Sequence, residues 1–269
     1  MSAELKFAIK LARDAGSLIS DASKAGKLTF ELKNNVELVT SADNAADSLI
    51  CGQIRSKFPD HAVISEESSP HASSILTGSS PFWIVDPIDG TVNFAHGLSQ
   101  SAVSIAFVEN GIIEVGVVFN PFTNELFAAR RGQGATLNGL IISPSVQTDL
   151  RRALIATGFP YEKTGLRPIL SRLEAVLNGC ADIRRLGSAA LDICFVAAGR
   201  LDGYYESLSL WDFAAAQLIA KEAGAIYGSF GELGVDSDEQ FNTENILVTN
   251  SHIFNDLRSL LRIADGIVG

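Results

Sequence analysis

The stretch Trp83-Ile84-Val85-Asp86-Pro87-Ile88-Asp89-Gly90-Thr91 constrains this chain more than any other. It opens as a compact apolar run of strand length, Phe82–Asp86, and passes straight into Asp-Pro-Ile-Asp-Gly-Thr. Asp and Pro are poor strand residues, so the strand is predicted to end at Asp86. Pro87 fixes φ and Gly90 permits tight backbone geometry, so the turn can aim Asp86 and Asp89 at one point. Two carboxylates so placed repel each other unless a cation sits between them. Hard divalent ions such as magnesium suit carboxylate, carbonyl and water ligands. The backbone N–H groups of Gly90 and Thr91 can face an anion, and the Thr91 hydroxyl can orient an attacking water. A plainer reading makes this a turn in which Asp89 caps a helix and Asp86 is solvated. Against it stands the position of Asp86 at a strand's C-terminal end, a frequent place for ligand sites in α/β sheets.

Three further acidic elements have the same ambiguity. Glu66-Glu67 directly follows the apolar run Ala62–Ser65, and reads either as a ligand pair or as a solvated surface pair. Trp211-Asp212 places Asp212 in the first turn of a helix predicted over Asp212–Ala223. Asp43 falls in the first turn of a helix that starts near Thr40–Ser41. A carboxylate is stabilised at either place by the helix end alone, so capping explains both without any ligand.

Elsewhere the apolar spacing predicts helices over 3–24, over the segment after Ser41 up to Pro59, and over Arg167–Leu177, Ser188–Ala198 and Ile253–Ile263. Strands are predicted at Leu28–Leu32, Ala62–Ser65, 102–108, 112–119, Glu125–Ala129, Leu154–Thr157, Ala181–Arg184, Leu201–Glu206 and Ile246–Thr249. Asn110-Gly111 between two β-rich runs is a strong hairpin signal. Ser68–Pro81 and the Gly-rich stretch from Arg131 to Gly139 read as loops. Helices, then an antiparallel meander, then alternating α and β suggest a layered α+β or α/β fold with large mixed sheets. The best boundary lies near residue 145, dividing one compact catalytic unit into an N-terminal half (1–145) and a C-terminal half (146–269).

With 269 residues, 46% of them hydrophobic and 19% charged, the chain can bury a large core. Its net charge of −10 disfavours nucleic acid. The densest basic pairs, Arg130–Arg131, Arg151–Arg152 and Arg184–Arg185, read as solvated or strand-end pairs. Cys51, Cys180 and Cys194 are odd in number and lack CxxC spacing, which argues against disulfides and a zinc site. The N-terminus carries charge every few residues, unlike a signal peptide, and no run is long enough to span a membrane. A cytoplasmic location follows as the expectation.

In order along the chain, Leu38-Val39-Thr40-Ser41-Ala42-Asp43, Glu66-Glu67-Ser68, WIVDPIDGTVNFAHG, Gly187-Ser188-Ala189-Ala190, Gly203-Tyr204-Tyr205-Glu206 and WDFAAAQLIAKEAG resemble the inositol monophosphatase family. The resemblance implies an αβαβα sandwich of the type shared with fructose-1,6-bisphosphatase. It implies hydrolysis of a small phosphate monoester with two or three magnesium ions, sensitivity to lithium, and a homodimer. By the same resemblance, Glu66, Asp86 and the Ile88 carbonyl hold the first ion, and Asp86, Asp89 and Asp212 hold the second. Asp43 and Glu67 order a third, water-rich ion, and Glu66 with Thr91 positions the attacking water. Asp89, Gly90, Thr91, Gly187, Ser188, Ala189 and Glu206 are implied to bind the substrate. One departure stands out: Glu206 to Asp212 is one residue shorter than the usual family spacing. Either Glu206 is displaced, with Tyr205 taking part of its position, or the connecting loop is tightened. Inositol 1-phosphate is the expected substrate. A fructose-bisphosphate or histidinol-phosphate phosphatase, or a partner-binding regulatory protein, is the alternative.

Overall fold

A computed structural model of the chain describes residues 2–25, 29–33, 37–70, 73–76, 80–161, 163, 165–232 and 238–267. Helix α1 (Ala3–Ala25) precedes the antiparallel pair β1 (Phe30–Lys33) and β2 (Glu37–Thr40), and helix α2 (Ser41–Lys57) follows. Next come β3 (Ala62–Ser65), the short helix α3 (Ser73–Leu76), β4 (Phe82–Asp89) and α4 (Thr91–Ala95). A meander continues through β5 (Ala102–Glu109), β6 (Ile112–Asn120), β7 (Glu125–Arg130), β8 (Ala135–Leu137) and β9 (Leu140–Ile141). The rest runs β10 (Leu154–Thr157), α5 (Leu166–Gly179), β11 (Asp182–Arg184), α6 (Ala189–Ala197), β12 (Gly203–Glu206), α7 (Leu210–Ala223), β13 (Ile226–Ser229), β14 (Ile246–Thr249) and α8 (Phe254–Ala264).

Strands β3 to β9 lie in sequence order in one sheet, parallel between β3 and β4 and antiparallel from there on. A second, mixed sheet has the order β11-β10-β12-β14-β13. Side-chain alternation then sets the layers. Trp83 and Val85 of β4 pack with α1 and α2 residues such as Leu11, Ile19, Ala46 and Ile50. Phe82 and Ile84 point the other way, into a core shared with α6, α7 and the inner face of the second sheet. Outside that sheet, Ile155, Tyr205 and Leu247 pack against Val176 of α5 and Leu257 and Leu261 of α8. The result is helix, sheet, helix, sheet, helix: the αβαβα sandwich. Strands covered on both faces must be apolar at successive positions, which is why β4 and β5 read as continuous runs. Helices α6 and α7, caught between two sheets, are apolar nearly all round for the same reason.

Several local expectations change. Strand β4 does not stop at Asp86 but runs on to Asp89, with a register shift between those two residues. The Gly-rich stretch from Arg131 to Gly139 is not wholly a loop, because Ala135–Leu137 pairs with β7. Helix α7 begins at Leu210, so Asp212 is its third residue rather than its first. Residue 28 of the strand expected over 28–32 lies outside the described residues, as do 71–72 and 77–79 of the expected loop, which also contains α3. The Asn110-Gly111 hairpin forms as read, with φ of 53° and 73° at its two central residues, the pair of positive values that a tight β-turn of matching twist requires. The chain changes sheet between β9 and β10, while α6 and α7 pack in a core to which both sheets contribute. Among the described residues no helix is long and apolar enough to cross a membrane.

Candidate active site

The register shift in β4 decides where its carboxylates go. Asp86 pairs opposite Ser104 and Asp89 opposite Ala102, so three steps along β4 match two along β5. On a regular strand, residues three apart point to opposite faces. The extra residue undoes that alternation and returns Asp89 to the side of Asp86, as bulges next to binding sites do. Asp212 arrives from the far end of the sequence through Ser104, whose hydroxyl donates to the Trp211 carbonyl at 3.2 Å. One carboxylate oxygen each from Asp86, Asp89 and Asp212 then lies within 4.8 Å of the others. This group can hold a metal ion.

The chemistry of the group fits such an ion. Asp86 Oδ1 is buried and has no hydrogen-bond partner among the described residues, a costly state for a charged oxygen unless a cation meets it. Glu66 sits beside Asp86 because its backbone N–H donates to the Val85 carbonyl at 3.2 Å. Burial holds both carboxyls well above the usual range; the charge of Asp212 adds to it at Glu66, and the charges of Glu66, Asp89 and Asp212 add to it at Asp86. Asp212 is raised in the same way, by burial first and by Asp89 next. Glu67 follows on the same turn, half-buried, close enough to raise Glu66 further.

Capping and chemistry coexist at the two helix starts. Thr40 caps α2 in a full capping box, and the Thr40 N–H and hydroxyl donate to Asp43 Oδ2 at 2.8 and 2.5 Å. The other oxygen, Asp43 Oδ1, accepts from the Thr91 hydroxyl at 3.1 Å. That hydroxyl also lies 3.0 Å from the Ile88 carbonyl. Its one proton therefore has two acceptors to choose from, and its lone pairs stay available. At α7, Asp212 Oδ2 accepts from the Ser209 N–H at 2.8 Å. The cap that seemed to compete with a ligand role is instead what fixes each carboxylate in place.

A second wall faces this cluster. Asp89 Oδ2 accepts from the Ser188 hydroxyl at 2.5 Å and from the Ala190 N–H at 2.7 Å, which ties β4 to the start of α6. Burial pushes the Asp89 carboxyl up to about 6, against these hydrogen bonds and the charge of Arg185. The Asn93 side-chain amide clamps the two segments, donating to Leu186 O at 2.7 Å and Gln100 O at 2.8 Å. Gly90, with φ of 90°, passes so close that a Cβ there would meet Gly187 O at 3.0 Å and Gln100 O at 2.7 Å. Glu206 accepts from the Tyr204 hydroxyl and packs so tightly over Gly158 that any Cβ there would strike its carboxylate. Burial pushes the Glu206 carboxyl up to about 7.

A cavity of about 380 Å³ lies between the walls. It is lined by Glu66, Asp86, Ile88, Asp89, Gly90, Thr91, Gly187, Ser188, Ala189, Glu206 and Asp212, so all these sequence-selected residues meet in one place. Asp43 and Glu67 stand behind it. Tyr205 does not take the place of Glu206: alternation on β12 turns its ring outward, against Phe230. Glu206 itself lines the cavity. Both arginines of the Arg184–Arg185 pair are exposed, at and just beyond the end of β11, as expected. Arg184 pairs with Asp182 at the surface, whereas Arg185 lines the cavity and is its only basic residue among those described. Glu37 and Asp192 also line it and carried no signal of their own in the sequence. Asn93, within the motif, could have been noticed as a polar residue in an apolar helical turn.

Fold and site together define a layered α/β protein whose buried carboxylate cluster can take a divalent cation. The inositol monophosphatase family model matches residues 1–258, and the chain belongs to that family. A relative from Salmonella typhimurium named Nus factor SuhB is 40% identical over 266 residues, which cover 96% of this chain and 95% of the relative. The crystal structure of extragenic suppressor protein suhB from Bartonella henselae superposes with a TM-score of 0.88 at 36% identity, covering 97% of this chain and 99% of that one. The Thermotoga maritima IMPase superposes with a TM-score of 0.86 at 33% identity over the whole of both chains. The name Nus factor gives no support to the expectation that nucleic acid is excluded.

Proposed function

We propose that the chain hydrolyses small phosphate monoesters with magnesium, and that myo-inositol 1-phosphate is its preferred substrate. The observation that supports this best is Asp86 Oδ1, a buried oxygen with no partner among the described residues, in a cluster of three carboxylates. Glu66, Asp86 and the Ile88 carbonyl would hold one ion, and Asp86, Asp89 and Asp212 another, with Asp43 and Glu67 behind them. When bound, magnesium neutralises the phosphate, lowers the pKa of bound water and steadies the leaving alkoxide. The chain's own groups supply position. Thr91, with its proton given to Asp43 or Ile88 O, keeps lone pairs to accept from a water, and Glu66 accepts from the same water. Backbone N–H groups of Gly90 and Thr91 face the phosphoryl oxygens. Asp89, Gly187, Ser188, Ala189 and Glu206 border the space left for the alcohol. Direct in-line attack by water needs no covalent phosphoenzyme. The working form under this reading is a cytoplasmic homodimer.

A second reading, a regulatory protein that acts through a partner, is favoured by the name Nus factor SuhB on the relatives. A phosphate-release screen over inositol, fructose, histidinol and nucleotide phosphates, with magnesium or with chelator, separates the two. The proposal expects magnesium-dependent release, fastest from inositol 1-phosphate. No release from any ester would leave the regulatory reading in its place.

A further inference from the structure

Helix α2 carries a second acid that the hydrolytic arrangement does not use. Asp47 stands one turn after Asp43, so the two side chains leave the same face of the helix. Asp47 is 5% exposed. Its Oδ1 accepts from the Ser65 hydroxyl at 2.5 Å, from the Ser68 hydroxyl at 3.1 Å and from the Cys51 thiol at 3.4 Å. Cys51 lies one further turn along the same face. Burial pushes its thiol up to about 11 and the charge of Asp47 adds to this, so the thiol stays a donor. Packing alone would be served by an apolar side chain at residue 47, because a buried carboxylate is costly unless donors meet it. The two serine donors are placed with a purpose: Ser65 and Ser68 flank Glu66 and Glu67 in sequence. Backbone bonds close the same turn, with the Ser65 N–H donating to Ser69 O at 3.2 Å and the Ser69 N–H to Ser65 O at 3.1 Å. On the same helix, Asp43 Oδ1 accepts from the Thr91 hydroxyl. Helix α2 therefore grips both the turn that bears Glu66 and the hydroxyl of Thr91.

We propose that Asp47 is a positioning residue that fixes the Glu66–Glu67 turn relative to Thr91, and so sets how tightly the carboxylate cluster holds a divalent cation. This rests on the hydrolytic reading given above. Asp47 does not border the cavity and acts through the two serines. Under the hydrolytic reading one water donates to both Glu66 and Thr91, so the spacing between these groups has to be kept closely. Removing the Asp47 carboxylate takes an acceptor from Ser65, which is fully buried, and frees the Ser68 end of the turn. Groups that orient metal-binding carboxylates in this way typically matter about 10- to 100-fold in metal affinity or activity.

The test compares wild type with Asp47→Ala, Asp47→Asn, Ser68→Ala and the Asp47→Ala/Ser68→Ala pair. Magnesium binding to the chelator-treated chain is followed by calorimetry without substrate, beside melting temperature and phosphate release from myo-inositol 1-phosphate. Asp47→Ala is expected to weaken magnesium binding about tenfold or more, and to raise the magnesium needed for half-maximal release by the same factor. KM at saturating magnesium is expected to change less than about threefold. Asp47→Asn keeps an oxygen that can accept from both serines and is expected to recover most of the loss. Ser68→Ala changes an exposed residue of the turn, so it tests the proposal even where Asp47→Ala does not fold. It is expected to weaken magnesium binding about threefold, and its effect should not add to that of Asp47→Ala. Lower melting temperatures with magnesium binding unchanged would overturn the proposal and leave Asp47 a support of the fold alone. Magnesium binding that depends on Asp47, with no release from any ester, would sink the hydrolysis and keep the positioning role. Release by wild type with no dependence on Asp47 or Ser68 would do the reverse. Absence of both magnesium binding and release would overturn the two together.

Discussion

The β4 wall of the cavity and the α6–β12 wall both carry buried carboxylates, but they hold them by different means. On the β4 side, carboxylate oxygens of Asp86, Asp89 and Asp212 converge within 4.8 Å, and Asp86 Oδ1 meets no donor among the described residues. Like charges at that range raise one another's pKa unless a cation neutralises them. On the other side, Glu206 accepts from the Tyr204 hydroxyl, and Asp192 lies within reach of the charges of Asp89, Glu206 and Arg185. One wall gathers carboxylates that can hold a cation, and the other sets Glu206 beside a tyrosine hydroxyl. Under the proposed function the first bears on the reaction and the second on the alcohol that carries the phosphate. Asp89 belongs to both: it is one of the three clustered carboxylates, and its Oδ2 accepts from Ser188 and Ala190 at the start of α6.

Breaking the shared residue should therefore have the largest effect. Asp89→Asn is expected to lower magnesium-dependent phosphate release about a thousandfold, the scale of several kcal/mol of lost charge stabilisation, with circular dichroism unchanged. Retained turnover would remove Asp89 from the metal wall. An intermediate effect probes the second wall through pH. The Glu206 carboxyl is raised from 4.5 to about 7 by burial. A raised acid favours the folded state only while protonated. Its contribution is complete below about pH 4.5 and is lost as pH rises through about 7. Glu206→Gln cannot titrate, so without metal wild type should lose melting temperature relative to this variant by several degrees across that window. A constant difference from pH 4 to pH 8 would mean that Glu206 is not desolvated. The smallest effect concerns the supports. Thr40→Ala removes the cap of α2 and should cost about 1 kcal/mol, or about 2–4 °C in melting temperature. Because Asp43 would lose its anchor, a modest loss of turnover should accompany the fall in stability.

The sequence showed the metal wall far better than the other wall. Glu66, Asp86, Asp89 and Asp212 each stand at the end of an apolar run or the start of a helix, where a carboxylate is conspicuous. Even so, the mechanism that unites Asp86 and Asp89 was misread. A turn was expected where a strand continues through a register shift, because the ladder to β5 outweighs the poor strand propensity of Asp and Pro. Asp43 and Asp212 looked like a choice between cap and ligand, and tertiary structure uses one oxygen for the cap and leaves the other for the site. Asp192 and Arg185 could not be found by pattern. Asp192 sits in the apolar stretch of α6 with no charged neighbour in sequence, and only the fold brings Glu206 and Asp89 to it. Arg185 follows the end of β11 and is exposed, and nothing in its sequence neighbourhood shows that it also borders the cavity.

The central claim is that the carboxylate cluster makes this chain a magnesium-dependent phosphatase. The most direct measurement is phosphate release from myo-inositol 1-phosphate by the wild-type chain as magnesium is titrated in from chelator-treated protein. The account predicts no release without metal and release that rises and saturates with magnesium. Release that persists in chelator, or none at any magnesium concentration, would contradict it.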